Sequence, residues 1–144
     1  MYRYILLMLA CVVLSCEPVH AQVINNPVIA FDQAQQTGKK ILLIFSGSDW
    51  CIPCIRFHKK ILSDSTFQHF ASEYLVLLEA DFPQHKKIPE PLRSQYDVLA
   101  EQFNPDGEFP QVVLLSPEKK LIAKVPFDQQ TPAAFITAVS ALLK

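Results

Sequence analysis

The chain has 144 residues, 50% of them apolar and 19% charged, with a formal net charge of −1. That length and apolar share describe one domain with a real core, and exclude both two ordinary domains and a disordered chain. The near-neutral balance argues against a nucleic-acid partner, whose binder would be basic, and four cysteines (Cys11, Cys16, Cys51 and Cys54) are too few and too unevenly placed for a disulfide-stapled scaffold.

Arg3 is the only charge ahead of an uncharged run from Ile5 to Leu14. As a helix this run would span only about half of a ~30 Å hydrocarbon core, so it reads as the apolar part of a secretory signal and not as a membrane anchor. Val19-His20-Ala21 supplies small residues for cleavage before Gln22, which makes 1–21 the signal peptide and 22–144 the mature domain. Val13-Leu14-Ser15-Cys16 offers a second reading, a bacterial lipobox in which Cys16 would carry a lipid anchor. Either cut places the protein outside the cytoplasm, in a bacterial periplasm or cell envelope.

Asn26-Pro27 predicts a helix start, a cap followed by a proline in the first turn, and Gly38 its end. The apolar run Ile41-Leu42-Leu43-Ile44-Phe45 predicts a strand covered on both faces. A polar turn, Ser46 to Asp49, leads into a helix from about Cys51. Ser63 or Asp64 caps a second short helix ending near Tyr74, and Leu75 to Leu78 forms a second buried strand, parallel to the first by default. Phe82 to Pro91 is a polar, proline-rich surface loop. Leu92, Tyr96, Leu99 and Phe103 mark one face of an amphipathic helix, broken by Asn104-Pro105-Asp106-Gly107. Gln111–Leu115 and Leu121–Val125 read as an antiparallel hairpin, and Thr131-Pro132 caps a last helix.

The chemistry lies in Trp50-Cys51-Ile52-Pro53-Cys54, where a strand hands over to a helix. Two cysteines three apart on a first helical turn share one face, about 5–6 Å between Cβ atoms, close to what a disulfide needs. Unpaired N–H groups and the positive helix end stabilise a thiolate at Cys51, and Pro53 removes no needed donor there. Cys54, deeper in the helix, is the natural resolving thiol. A purely structural disulfide would close so short a loop that it would constrain the unfolded chain little. Cys51, Cys54 and His58 also have a spacing compatible with soft metal ligands, although no fourth ligand is evident. His58 shares its helix with Arg56, Lys59 and Lys60, a pattern that fits a solvated face. His69 and His85 lie in polar surroundings with no chemical role, and Asp49 reads as a turn residue.

The stretch Phe45-Ser46-Gly47-Ser48-Asp49-Trp50-Cys51-Ile52-Pro53-Cys54 resembles the active site of the thioredoxin superfamily, in particular of secreted bacterial thioredoxin-like proteins. Phe109-Pro110, just before Gln111–Leu115, falls where that family places a cis-proline facing its dithiol. The resemblance covers roughly residues 26–143 and implies an α/β fold, a thioredoxin-like three-layer α/β/α sandwich with a mixed central sheet. It implies Cys51 and Cys54 as catalytic residues, with Trp50, Pro53, Phe109 and Pro110 lining the substrate groove, and neither a cofactor nor a resident metal. One departure stands out: the acidic residue that thioredoxins bury on the strand before the motif is replaced by Ile44 or Phe45, and its lysine neighbour by Leu77. Deprotonation of Cys54 is then left to water or another group, and slower exchange is expected.

The function implied is an exported thiol–disulfide oxidoreductase, and proline beside the second cysteine is the thioredoxin-like choice that favours a reductase. Its partners would be protein disulfides and, in an oxidising compartment, a membrane electron donor. A different class stays open, a thioredoxin-fold copper or zinc carrier or a folding adaptor in the cell envelope.

Overall fold

The two apolar runs flanking the cysteine motif form the centre of the sheet. Strand β2 (Lys40–Ser46) pairs in parallel with β3 (Leu75–Asp81) over its whole length, from Lys40 opposite Leu75 to Ser46 opposite Asp81. Helix α1 (Pro27–Thr37) precedes β2, while α2 (Ile52–Phe57), a π-helical turn (His58–Leu62) and α3 (Ser65–Tyr74) connect β2 to β3. Then follow α4 (Leu92–Phe103), β4 (Gln111–Leu115), β5 (Leu121–Lys124) and α5 (Pro132–Leu142). A two-residue strand, β1 (Val23–Ile24), edges the sheet, whose order is β1-β3-β2-β4-β5. β4 runs antiparallel to both β2 and β5, so the sheet is mixed, as expected. The structure, a computed structural model, describes residues 20–128 and 131–144; the expected leader's apolar run and its cysteines, Cys11 and Cys16, lie outside them.

Side chains alternate across the sheet and build two cores. Ile41, Leu43 and Phe45 pack with Val76, Leu78 and Ala80 under α1 and α4, which contribute Ala30, Phe31, Tyr96, Leu99 and Phe103. Leu42, Ile44, Leu75 and Leu77 face the other way, towards Phe57, Ile61, Phe67, Phe135 and Val139 from the remaining helices. Helices on both faces of a mixed sheet give the three-layer α/β/α sandwich. Phe67 and Phe135 are 0% exposed, and fully burying such a side chain contributes roughly 1.5–3 kcal/mol.

The caps fall where the sequence puts them. The Asn26 side chain accepts from the N–H groups of Val28 and Ile29, and Gly38 closes α1 with φ of 70°. Asp64, rather than Ser63, caps α3 through the N–H groups of Thr66 and Phe67. Thr131 caps α5 through Ala134. β3 extends beyond Leu78 to Asp81, because its polar end, Glu79 and Asp81, still pairs with β2.

Candidate active site

The site forms where β2 ends. Backbone N–H groups of Trp50 and Cys51 both turn back to the Gly47 carbonyl, at 3.3 and 2.9 Å, which folds Ser48 to Trp50 into a tight loop. Cys51 thereby becomes the N-cap of α2 rather than a helical residue, with extended backbone angles of φ −87° and ψ 96°. Its sulfur accepts the Cys54 N–H at 3.3 Å and is joined to the Cys54 sulfur, with Cα atoms 5.2 Å apart. Both cysteines are 4% exposed, whereas Ile52 beside them is 61% exposed. Pro53 sits in the first turn, where no intrahelical acceptor waits for an N–H.

Trp50 is pinned over this loop. Its Nε1 donates to the Phe82 carbonyl at 2.8 Å, and its ring meets Phe109 edge-on with centroids 5.3 Å apart. Phe109 in turn lies edge-on to Phe82 at 5.7 Å. The Phe109-Pro110 bond is cis and Pro110 is buried. The chain reaches it through a closed turn in which Asn104 exchanges two hydrogen bonds with the Glu108 backbone, at 2.8 and 2.9 Å. Pro53, Phe109 and Pro110 face one groove of about 620 Å³. The structure thus brings Trp50, Cys51, Pro53, Cys54, Phe109 and Pro110 into one neighbourhood.

A polar network that sequence reading missed supports the loop from below. Asp81 accepts from the Ser48 N–H at 2.8 Å and from the Ser48 hydroxyl at 2.6 Å, tying the loop to β3. The buried Ser46 hydroxyl lies 2.8 Å from Glu79 Oε1 and 3.3 Å from Asp81 Oδ1. Ile44 and Leu77 are each 1% exposed in an apolar setting, so the region where thioredoxins carry their acid and lysine is hydrocarbon here. The carboxylates at the end of β3 are Glu79 and Asp81, opposite Ile44 and Ser46 of β2.

Asp49 and His85 do more than their sequence setting indicated. The Asp49 carboxylate accepts from the backbone N–H groups of Gln84 and His85, at 2.9 and 2.8 Å, and lies 3.2 Å from His85 Nδ1. The Gln84 N–H, with the His85 contacts, holds the Asp49 carboxyl below its ordinary range. Asp49 is therefore a clamp between the cysteine loop and the Phe82–Pro91 loop. His58 is exposed, its Nδ1 3.4 Å from the Ser63 hydroxyl. Among the described residues no three His, Cys, Asp or Glu side chains gather as a metal site.

Comparison with known proteins agrees with this geometry. The sequence matches the Thioredoxin-like family over residues 16–117. It is 38% identical over 115 residues to the disulfide bond reductase DsbH of Chlamydia pneumoniae, covering 80% of this chain and 69% of that protein. It is 30% identical over 96 residues to the thioredoxin-related protein DsbJ of Chlamydia pneumoniae, covering 67% of this chain but only 27% of DsbJ. A solved DsbH oxidoreductase superposes with a TM-score of 0.78 at 34% identity, over 88% of this chain and 89% of that one. With a Cys-x-x-Cys pair at the head of α2 and a cis-proline across the groove, the chain belongs to the thioredoxin-like family and is a thiol–disulfide oxidoreductase related to DsbH.

Proposed function

We propose that the protein is an exported protein-disulfide reductase in which Cys51 attacks and Cys54 resolves. The observation that carries this reading is the placement of the Cys51 sulfur at the N-cap of α2, where it receives the Cys54 N–H. In the reduced protein that donor and the positive helix end favour the Cys51 thiolate over the thiol. The thiolate attacks one sulfur of a client disulfide; a Cys51–client bond forms and the other client sulfur leaves as thiolate. Cys54 then loses its proton to solvent or a nearby acceptor and attacks Cys51. The Cys51–Cys54 bond forms, the second client sulfur leaves, and two electrons have passed to the client.

The exposed face of Trp50, with Pro53, Phe109 and Pro110, supplies the surface on which the client chain lies. The reducing direction is supported by the Pro53 position beside Cys54 and by the name of the DsbH relative, a disulfide bond reductase. The apolar leader and the Ala21 or Cys16 processing signals support a site of action in the cell envelope, the second with a lipid tether at Cys16. Oxidised protein there is recharged by a membrane dithiol donor, since the compartment itself does not reduce it.

A redox titration of the Cys51/Cys54 couple tests the direction. A potential at or below about −200 mV fits a reductase, and one near about −120 mV, the range of strong oxidants, overturns it.

A further inference from the structure

The groove that Pro53, Phe109 and Pro110 face runs on beyond these three residues. Its lining includes the buried Phe57 and Ile61, and Phe127, which stands edge-on to Phe57 with ring centroids 6.1 Å apart. Such an apolar lining holds many side chains without choosing among them. Charge on the rim discriminates: Arg56 and Lys60 both line the groove, and both are exposed. The ion pairs formed among the described residues engage His69, His85, Arg93 and Lys124 instead, so both cations keep their charge available. Among the described residues, Asp128, from the segment after β5, is the one acid in the lining.

We propose that this groove selects clients whose chain carries an acidic residue two to four positions from the reacting cysteine. The inference rests on the reductase reading and names its substrate class. Arg56 and Lys60 follow Cys51 by five and nine residues, which places them roughly 7.5 Å and, with Lys60 in the more tightly stacked π-helical turn, about 12–13 Å along the helix. An extended client advances ~3.3 Å per residue, so its matching positions lie about two and four residues from its cysteine. A client carboxylate there meets one cation or both, while a lysine at the same place is repelled. An apolar client residue between the two positions packs on Phe57 and Phe127. The two cations also attract acidic clients before contact, so selectivity resides in the encounter rate and falls with ionic strength.

The test uses prereduced full-length protein and disulfide-linked homodimers of a short peptide with one cysteine. Separate peptides place Glu, Gln or Lys two or four positions to either side of it, and single-turnover reduction is followed through the emission of Trp50. On one side of the cysteine, Glu peptides are expected to react about three- to fivefold faster than Lys peptides at low salt, with the gap closing near 0.5 M salt. Charge reversal at both positions, Arg56→Glu with Lys60→Glu, should invert the order. The Glu-to-Lys ratio is internal to each variant, so partial loss of folded protein does not affect it. Equal rates for all peptides, or a Glu preference that survives the double reversal, overturn the inference and leave the reductase reading standing. If the protein reduces none of the peptides and leaves hydroxyethyl disulfide untouched, both fall.

Discussion

The Trp50 indole stands where a side chain on Gly47 would have to be: a Cβ there would lie 2.3 Å from Cε2 and 2.5 Å from Nε1. Gly47 also supplies the carbonyl on which Trp50 and Cys51 turn, so one residue both forms the loop and seats the ring above it. The Phe82 carbonyl and Phe109 hold the indole in that position, so a methyl group on Gly47 has to displace it. Gly47→Ala should therefore push the ring off Phe109 and cost about 1–3 kcal/mol, as overpacking does. Trp50 is the only tryptophan, so a shift in emission maximum, read with denaturant unfolding, reports both effects. An unchanged emission spectrum would show that the ring does not depend on Gly47.

The Asp49 clamp predicts a specific acid sensitivity. The Gln84 N–H, followed by the His85 contacts, depresses the Asp49 carboxyl in the folded protein. A depressed carboxyl contributes stability above the unfolded value of about 3.9 and loses it as pH falls through the folded value. Tm should fall more steeply for wild type than for Asp49→Asn between about pH 4 and pH 2. The variant should also loosen the Phe82–Pro91 loop at neutral pH, seen as faster amide exchange at Gln84 and His85. Parallel Tm profiles for the two proteins would remove the clamp from the stability of the site.

The elements legible in the sequence are those specified by local chemistry. Asn26-Pro27, Gly38 and Thr131-Pro132 carry their own capping signals, and the runs at 41–45 and 75–78 are apolar enough to be strands buried on both faces. The cysteine motif is equally local. β1 was not legible, because two residues hold no period and Val23 and Ile24 become a strand only by pairing with Leu77 and Leu78. The π-helical turn at His58–Leu62 has no composition that separates it from an ordinary helical turn. The contacts that brace the site escaped for the same reason. Asp49 reaches His85 across 36 positions, and Ser48 reaches Asp81 across 33, so each pair exists only once the sheet has formed.

Tyr96 ties the layer behind the site to the sheet edge. Its hydroxyl donates to the Asn25 carbonyl at 2.6 Å and lies 3.2 Å from the Glu79 carbonyl. Burial, followed by the charges of Asp81 and Glu79, pushes its hydroxyl up to about 12. A raised phenol contributes stability that is complete below the unfolded value of about 10 and is lost as pH rises from there through about 12. In an absorbance titration Tyr96 should ionise well above an ordinary phenol, together with alkaline unfolding. Tyr96→Phe should remove that step and cost about 0.5–1.5 kcal/mol at neutral pH, the usual net worth of one hydrogen bond. A titration in which all tyrosines ionise together below pH 11 would contradict this placement.

The two cysteines differ in geometry, and that asymmetry predicts different fates for their variants. The Cys51 sulfur sits at the helix cap and receives an N–H, whereas Cys54 lies within the helix in the second position of the motif. In reduced protein, alkylation should therefore occur first at Cys51, with an apparent pKa below the ~8.5 of a free thiol. Cys54→Ser should retain the first attack and lose the second, so a Cys51–client disulfide accumulates and turnover falls by at least about a hundredfold. Cys51→Ser should form no such adduct, because the remaining thiol lacks both the cap position and the donor. Mass spectrometry of each variant after exposure to an oxidised peptide reads the difference directly. Equal trapping by both variants would show that either sulfur can attack, and trapping by Cys51→Ser alone would exchange their roles.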